Sequence, residues 1–160
     1  MLGIKLICVG KMREKFYIDA FNEYSKRLAA YCRFELIELP ETRLPESPSQ
    51  AQINAALEKE AAEIMKNIPS DAYTVALCVE GRQMPSEDMA ALISERENSG
   101  KPKLCFLIGG SFGMAEAVKK RADMRLSMSK MTFPHHLARV MLAEQIYRGF
   151  KIKEGSRYHK

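Results

Sequence analysis

The 160-residue chain has no tryptophan and no long uncharged apolar run. A membrane-spanning helix needs roughly 18 or more such residues, so no membrane partner is expected. The first residues, Met1–Lys5, also lack a positively charged region followed by an apolar stretch and a small-residue cleavage site. We therefore expect no signal peptide and a cytoplasmic protein.

Sequence signatures of metal sites are missing as well. The four cysteines form no CxxC pair, and three of them lie in apolar runs where cysteine packs as a small hydrophobe. This favours free thiols in a reducing compartment over disulfides or zinc. His135 and His136 are adjacent, whereas two metal ligands on one helical face stand four residues apart. No metal is expected.

Several catalytic signatures are absent too. The chain has no GxSxG nucleophile motif, no GxGxxG dinucleotide fingerprint and no GxxxxGK[ST] phosphate loop. These absences disfavour a serine hydrolase, a nicotinamide site and an ATP site. They leave open both a small-ligand enzyme of another kind and a binding protein.

What the chain does have is an uneven distribution of charge. Residues 1–127 hold eighteen basic and eighteen acidic side chains, whereas residues 128–160 hold seven basic and two acidic ones. The whole net charge of +5, and all three histidines, therefore lie in the last fifth of the chain. Clustered positive charge creates a local field that suits a polyanionic partner such as nucleic acid.

Strand-like and helical patterns alternate along the chain. We predict strands at 4–9, 34–39, 73–79, 103–108 and 124–126, and helices at 13–31, 49–67, 87–98, 114–121 and 134–150. Residues 40–48, with three prolines, are predicted to form a surface loop. The alternation predicts an α/β domain with a mainly parallel sheet and helices on both faces.

Two glycine-marked turns follow predicted strands. Gly109–Gly113 follows the fourth strand, and Glu80–Arg82 follows the third. Ligands of open α/β sheets bind beyond the carboxyl ends of strands, and glycine lets the backbone approach a ligand closely. The two turns could therefore line one crevice. A tight strand–helix turn without a ligand explains the glycines equally well.

The last predicted helix is apolar enough to belong either to the core or to a dimer interface. Arg139 falls in the middle of its apolar face, and burying an unpaired charge costs several kcal/mol, roughly. Arg139 must therefore pair with a carboxylate, or face a cleft or a second subunit. Alternatively, its long stem reaches solvent from the surface.

The tail, Ile152–Lys160, is basic and contains Tyr158. Basic side chains beside an aromatic ring suit phosphate contact and base stacking. A frayed terminus is the simpler alternative. On the first interpretation, the side chains that contact RNA are Arg148, Lys151, Lys153 and Arg157.

Four stretches together resemble the ribosomal RNA large subunit methyltransferase H family, which is a small SPOUT-class family. They are FLIGGSFG at 106–113, MSKMTFPHH at 128–136, EQIYR at 144–148 and the terminal YHK. The opening ICVGK at 7–11 and the total length also match. The middle helices are generic.

The resemblance implies a single SPOUT domain over 1–160 whose α/β fold carries a C-terminal trefoil knot, although knots are otherwise essentially absent from proteins. It also implies a homodimer with S-adenosylmethionine bound in the knot. The implied reaction is methyl transfer to N3 of a pseudouridine in 23S rRNA, with the assembled ribosome as substrate. A non-catalytic ribosome- or RNA-binding protein is the main alternative, and a small-molecule α/β enzyme is the third.

Carried over by position, the resemblance assigns the cofactor site to Leu77, Gly109, Met128, Ser129, Lys130, Met131, Thr132 and Phe133. Many family members have a carboxylate where this chain has Cys78, so the role of that carboxylate is open here. The N3–H proton must be lost, which calls for a base or a cation. We expect His159 to accept the proton, Tyr158 to orient or stack on the base, and Arg139 and Arg148 to stabilise negative charge or hold phosphate. In a dimer, the subunit opposite the cofactor could supply these groups.

Overall fold

The computed structural model describes all residues, 1–160, and contains five strands and five helices. The strands are β1 (Gly3–Val9), β2 (Arg33–Leu39), β3 (Tyr73–Arg82), β4 (Lys103–Ile108) and β5 (Met124–Leu126). The helices are α1 (Lys15–Leu28), α2 (Gln50–Asn67), α3 (Ser86–Glu97), α4 (Glu116–Arg121) and α5 (His135–Lys153). Each predicted element is present, with ends that differ by a few residues.

All strand pairs in the sheet are parallel, and the strand order is β2-β1-β4-β3-β5. Alternate side chains of β1 enter two separate cores. Leu6 and Cys8 pack with α1, α3 and α5 on one face, whereas Ile7 and Val9 pack with α2 and α4 on the other. The prediction of a parallel sheet with helices on both faces is confirmed.

Two element ends differ from the prediction. β3 continues past Val79 to Arg82, because both Leu77 and Arg82 pair with Leu126 of β5. Such long-range pairing leaves no local pattern in the sequence. α5 continues past Phe150 to Lys153, since the stop signal is Gly155, whose φ of 70° is the left-handed conformation that ends helices.

The remaining composition-based expectations concern cysteines, metals and membranes. All four cysteines are free thiols, and Cys8, Cys32 and Cys105 are buried. No group of three or more His, Cys, Asp or Glu side chains is arranged to hold a metal ion. None of the helices combines the length and the apolar character that crossing a bilayer requires.

Candidate functional site

A cavity of about 530 Å³ opens at the carboxyl ends of β3 and β4. Its walls are the end of β3 (77–80), the turn after β4 (108–114) and the segment 126–138 that leads from β5 into α5. The volume lies within the ~300–1,000 Å³ range of small-molecule sites. The turn after β4 therefore lines this crevice, whereas the predicted turn Glu80–Arg82 is part of β3 and contributes only Glu80.

The turn after β4 is so tight that two of its positions require glycine. A Cβ atom on Gly109 would stand 2.3 Å from the carbonyl oxygen of Gly113, and Gly113 itself has a φ of 83°. The Gly113 amide donates to the Gly110 carbonyl at 3.0 Å. Ser111 then ties the turn to the proline loop, because its amide and hydroxyl donate to Glu41 at 3.0 and 2.9 Å. Of the two explanations of these glycines, the tight turn is the one that the geometry requires.

The segment after β5 is held by its own serines. The Ser127 amide donates to the Arg82 carbonyl at 2.9 Å, and its hydroxyl donates to the Ser129 carbonyl at 2.9 Å. The Ser129 hydroxyl accepts from the Met131 amide at 3.0 Å. One of these bonds ties the segment to the end of β3, and the other two are local to the loop.

Most of the predicted cofactor residues meet at this cavity. Its lining includes Leu77, Gly109, Met128, Ser129, Met131, Thr132 and Phe133. Lys130 is exposed and does not line the cavity. The structure therefore brings together seven of the eight positions.

Other lining residues were not predicted. Cys78 lies in the wall, and burial raises the pKa of its thiol, so the group is a neutral thiol near pH 7. At the rim, Glu80 pairs with Lys119, which lowers the pKa of the Glu80 carboxyl. His135, at the start of α5, also lines the cavity. Glu80 belonged to the turn predicted at Glu80–Arg82, whereas no sequence pattern pointed to Lys119.

Arg139 is completely buried and does not line the cavity. Its guanidinium donates to the Glu38 carboxylate of β2 at 2.7 Å and to the Gly10 carbonyl at 3.0 Å. Glu38 also accepts from the Met12 amide at 2.9 Å. Of the predicted alternatives, pairing with a carboxylate is correct and a surface arginine is wrong. Arg139 is fully buried, and its contacts connect α5 to the ends of β1 and β2.

The tail folds back on α5 and is not frayed. The Tyr158 hydroxyl donates to Glu144 at 3.1 Å, and its ring packs edge-on against Tyr147 with centroids 5.0 Å apart. The Arg148 guanidinium lies 4.8 Å from the centre of the Tyr158 ring. Burial, followed by the Glu144 carboxylate, raises the pKa of Tyr158 to about 12. Tyr158 is therefore a neutral phenol at physiological pH.

His159 has a partner on each ring nitrogen. Nδ1 lies 3.2 Å from Nη1 of Arg148, and Nε2 lies 2.9 Å from Glu87 at the start of α3. Since arginine can only donate, Nδ1 must accept, and the proton of the neutral ring sits on Nε2. Arg148 is itself held by Glu144, to which its Nε and Nη2 donate at 2.9 and 2.6 Å. No sequence pattern singled out Glu87, and Glu144 was noted only as part of the EQIYR run at 144–148.

The basic residues of the tail region differ in whether their charge is paired with a carboxylate. Lys151 pairs with Glu154, and Lys153 pairs with Glu97. Arg157 is exposed and forms no ion pair, and Arg148 is the centre of the network just described. Arg157 is therefore the predicted phosphate contact whose charge is uncommitted.

The tail and the cavity do not meet in this chain. Neither Tyr158 nor His159 lines the cavity. A second recess of about 540 Å³ lies between them, shares Met128 with the cavity and includes Glu144 in its wall. Tyr24 of α1 and Met141 of α5 contribute to the same recess. The structure therefore leaves the predicted catalytic tail beside the cavity rather than in it.

Comparison with known proteins places these features in a family. The family model described as "Predicted SPOUT methyltransferase" matches residues 2–159. The chain is 46% identical to the ribosomal RNA large subunit methyltransferase H of Streptococcus pyogenes over 159 residues, which cover 99% of this chain and 100% of that one. The protein of the same name from Listeria monocytogenes is 42% identical with the same coverage.

Solved structures share the fold at low sequence identity. A probable methyltransferase from Bordetella pertussis superposes with a TM-score of 0.58 at 12% identity, over 91% of this chain and 93% of that one. A probable methylase family protein from Haemophilus influenzae superposes with a TM-score of 0.56 at 12% identity, over 100% of this chain and 72% of that one. At this level of identity the likeness concerns the fold alone.

Proposed function

The chain belongs to the SPOUT methyltransferase family, and from that premise we propose that it methylates 23S rRNA with S-adenosylmethionine as methyl donor. The proposed target is N3 of a pseudouridine in the assembled ribosome, in the cytoplasm. The observation that carries the proposal is the cavity beyond β3 and β4, where seven positions assigned by the resemblance converge. Relatives at 42–46% identity over the full chain, named as rRNA methyltransferases, support the choice of substrate.

The residues of the cavity fit S-adenosylmethionine. The walls combine apolar side chains, such as Leu77, Met128 and Phe133, with the backbone of the segment 128–133 and of the turn after β4. Apolar walls with a few polar backbone groups are what a nucleoside ligand needs. The cofactor supplies a methyl group made electrophilic by the sulfonium. The chain's part is to hold that methyl group in line with the nucleophile, since positioning supplies much of the rate.

We propose that the domain, residues 1–160, carries a trefoil knot formed by its last third. Leu126 of β5 pairs with both Leu77 and Arg82 of β3, and the register shifts between these two pairs. Gly81 touches the backbone of Arg125 and Leu126, where a Cβ atom would stand 2.8 Å from their carbonyl carbons. This close crossing supports the knot.

We also propose that two copies of the chain complete the site. Tyr158 and His159 do not reach the cavity of their own protomer. The recess between α1 and α5, lined by the partly exposed side chains of Tyr24, Met84 and Met141, is a surface suited to a second copy. Tail residues of one subunit would then act at the cofactor of the other.

In the proposed reaction His159 accepts the N3–H proton. The ring carries its proton on Nε2, which faces Glu87, and its lone pair on Nδ1 accepts from Arg148, so the Arg148 contact must be released before the ring can take up a proton. Tyr158, as a neutral phenol, orients or stacks on the base, and Arg148 stabilises the developing anion. Lys151, Lys153 and Arg157 contact phosphates, and Arg139 positions α5 rather than contacting RNA.

The decisive experiment is mass spectrometry of rRNA nucleosides from cells with and without the gene, where the N3-methylated pseudouridine should disappear with the gene. In parallel, a chain that lacks residues 158–160 should bind S-adenosylmethionine in calorimetry but leave ribosomes unmethylated. Full activity of that truncation would overturn the role of the tail. No binding of S-adenosylmethionine by the full chain would instead favour a non-catalytic RNA-binding protein.

A further inference from the structure

A groove of about 1,020 Å³ lies on the other side of the turn after β4. It is bordered by residues 10–13 after β1, by the proline loop and by the turn itself. Ser111 and His135 line both the groove and the proposed cofactor cavity, so the two spaces adjoin. The proposed function does not use this groove.

Three of the four acidic side chains that line the groove are committed to the protein, and the fourth, Glu46, is exposed. Glu38 is bound by Arg139 and by the Met12 amide. Glu41 accepts two hydrogen bonds from Ser111, and Glu60 is buried and accepts from the Thr42 amide at 3.0 Å. Burial raises the pKa of Glu60, which favours its neutral form.

The basic side chains of the groove are uncommitted. Lys11, Arg13 and Arg43 line it, all three residues are exposed, and none of them forms an ion pair. Three free cations line the groove, two from the segment after β1 and one from the proline loop. They make a site for phosphates, because each phosphate neutralised releases counterions from the nucleic acid.

Phe112 adds an aromatic surface to the groove. It is 51% exposed, and it stands on a turn fixed by the Gly113–Gly110 hydrogen bond and by the Ser111 contacts to Glu41. An exposed ring on a rigid turn loses little conformational freedom when a base stacks on it. Such rings beside cations are the usual platform of single-stranded nucleic-acid sites.

We propose that this groove binds a single-stranded segment of the rRNA next to the target nucleotide. A base of that segment stacks on Phe112, and its phosphates meet Lys11, Arg13 and Arg43. The proposal rests on the proposed function, which it extends by adding an RNA site on the side of the cofactor cavity that the tail does not occupy.

The first test replaces the ring and measures methylation of ribosomes purified from cells that lack the gene. Phe112→Ala should raise the KM for ribosomes by about 5- to 100-fold, the effect of losing one stacked base. Phe112→Trp and Phe112→Tyr should keep KM within about 3-fold, since both present a π face. Affinity for S-adenosylmethionine should stay the same in all three variants. Phe16→Ala is the matched control, because Phe16 is 65% exposed on α1, outside the groove.

The second test concerns the phosphates. Lys11→Ala, Arg13→Ala and Arg43→Ala should each reduce the slope of log affinity against log salt by about 0.7, the value for one phosphate of a single strand. Lys26→Ala on α1, exposed and also without an ion pair, should leave the slope unchanged.

Two results would overturn the proposal. One is a KM for ribosomes that is the same for Phe112→Ala and Phe16→Ala. The other is a loss of S-adenosylmethionine binding in Phe112→Ala, which would assign the ring to the cofactor cavity. Both are distinguishable from failure of the proposed function, in which the unaltered chain would not methylate ribosomes at all.

Discussion

Two arginines on the same helix, Arg139 and Arg148, illustrate two uses of a charge. Arg139 is fully buried and holds Glu38 and the Gly10 carbonyl, so it joins α5 to the ends of β1 and β2. Arg148 lies nearer the surface and holds Glu144 and His159. Its side chain is 25% exposed to solvent.

The difference between them is energetic. Removing one partner of a buried pair leaves an uncompensated charge in the protein, whereas a pair near the surface contributes little to stability. The Arg139 end of α5 therefore fixes the fold around the cavity, and the Arg148 end can be rearranged by a substrate. We expect substitutions at the first end to change stability, and substitutions at the second to change activity.

The largest expected effect is that of Arg139→Ala. It leaves the Glu38 carboxylate without its charged partner and should lower the free energy of unfolding by about 3–5 kcal/mol. Urea denaturation measures this directly. Arg27→Ala removes an exposed ion pair with Glu23 on α1 and is the control, with a much smaller expected loss. Equal losses for the two variants would show that Arg139 is not the anchor described above.

Next in size is Arg148→Ala, which should remove the contact that orients His159 and the cation near the reacting base. We expect methylation of ribosomes to fall by about 100-fold, the typical effect of deleting one group that stabilises developing negative charge. Stability should fall by less than ~1 kcal/mol. Arg148→Lys keeps the charge but not the fork geometry, and should recover only part of the rate. If Arg148→Ala unfolds the chain as Arg139→Ala does, the contrast between the two ends is wrong.

A smaller effect is expected from Glu87→Gln at the start of α3. Glu87 is largely exposed and faces Nε2 of His159 at 2.9 Å, so its charge should favour the Nε2–H tautomer. An exposed pair of this kind contributes little, so we expect a decrease in rate of only about 1.5- to 5-fold. The tautomer is read from ¹⁵N chemical shifts of the His159 ring, which a purely structural role of Glu87 would not move.

Asp88→Asn is the matched control for Glu87, since Asp88 is the adjacent carboxylate of the same helix and pairs with Arg82 instead. It should leave both the ¹⁵N shifts and the rate unchanged. Identical spectra for Glu87→Gln and the unaltered chain would remove Glu87 from the network around His159.

The fold was predictable because its signals are local. Alternating apolar residues mark the strands, and capping residues such as Ser49, whose side chain and that of Gln52 form a capping box, mark the helix starts. β3 ran longer than predicted because its end is fixed by pairing with Leu126, more than forty residues away along the chain. Element type follows from local pattern, whereas element length also depends on distant partners.

The residues of the site also divide into those that a local motif predicts and those that only folding brings together. The predicted cofactor positions came from contiguous motifs, and most of them line one cavity. Glu38, Glu87 and Glu144 were not predicted as partners, although each holds a predicted residue. A chain with twenty acidic residues gives no local sign of which one will lie beside a given arginine or histidine after folding.

The smallest expected effect concerns His135, which lies at the Arg139 end of α5. Burial lowers the pKa of His135, and the neighbouring His136 lowers it further, against the opposing effects of Glu41 and Glu14. Below pH ~6.5 the unfolded chain binds a proton that the folded chain binds only at lower pH, so stability is lost as the pH falls through this window. His135→Gln removes that contribution. The drop in unfolding free energy between pH 7.5 and 5.5 should therefore be smaller in the variant. An equal drop in both chains would mean that the imidazole is protonated as readily in the fold as out of it.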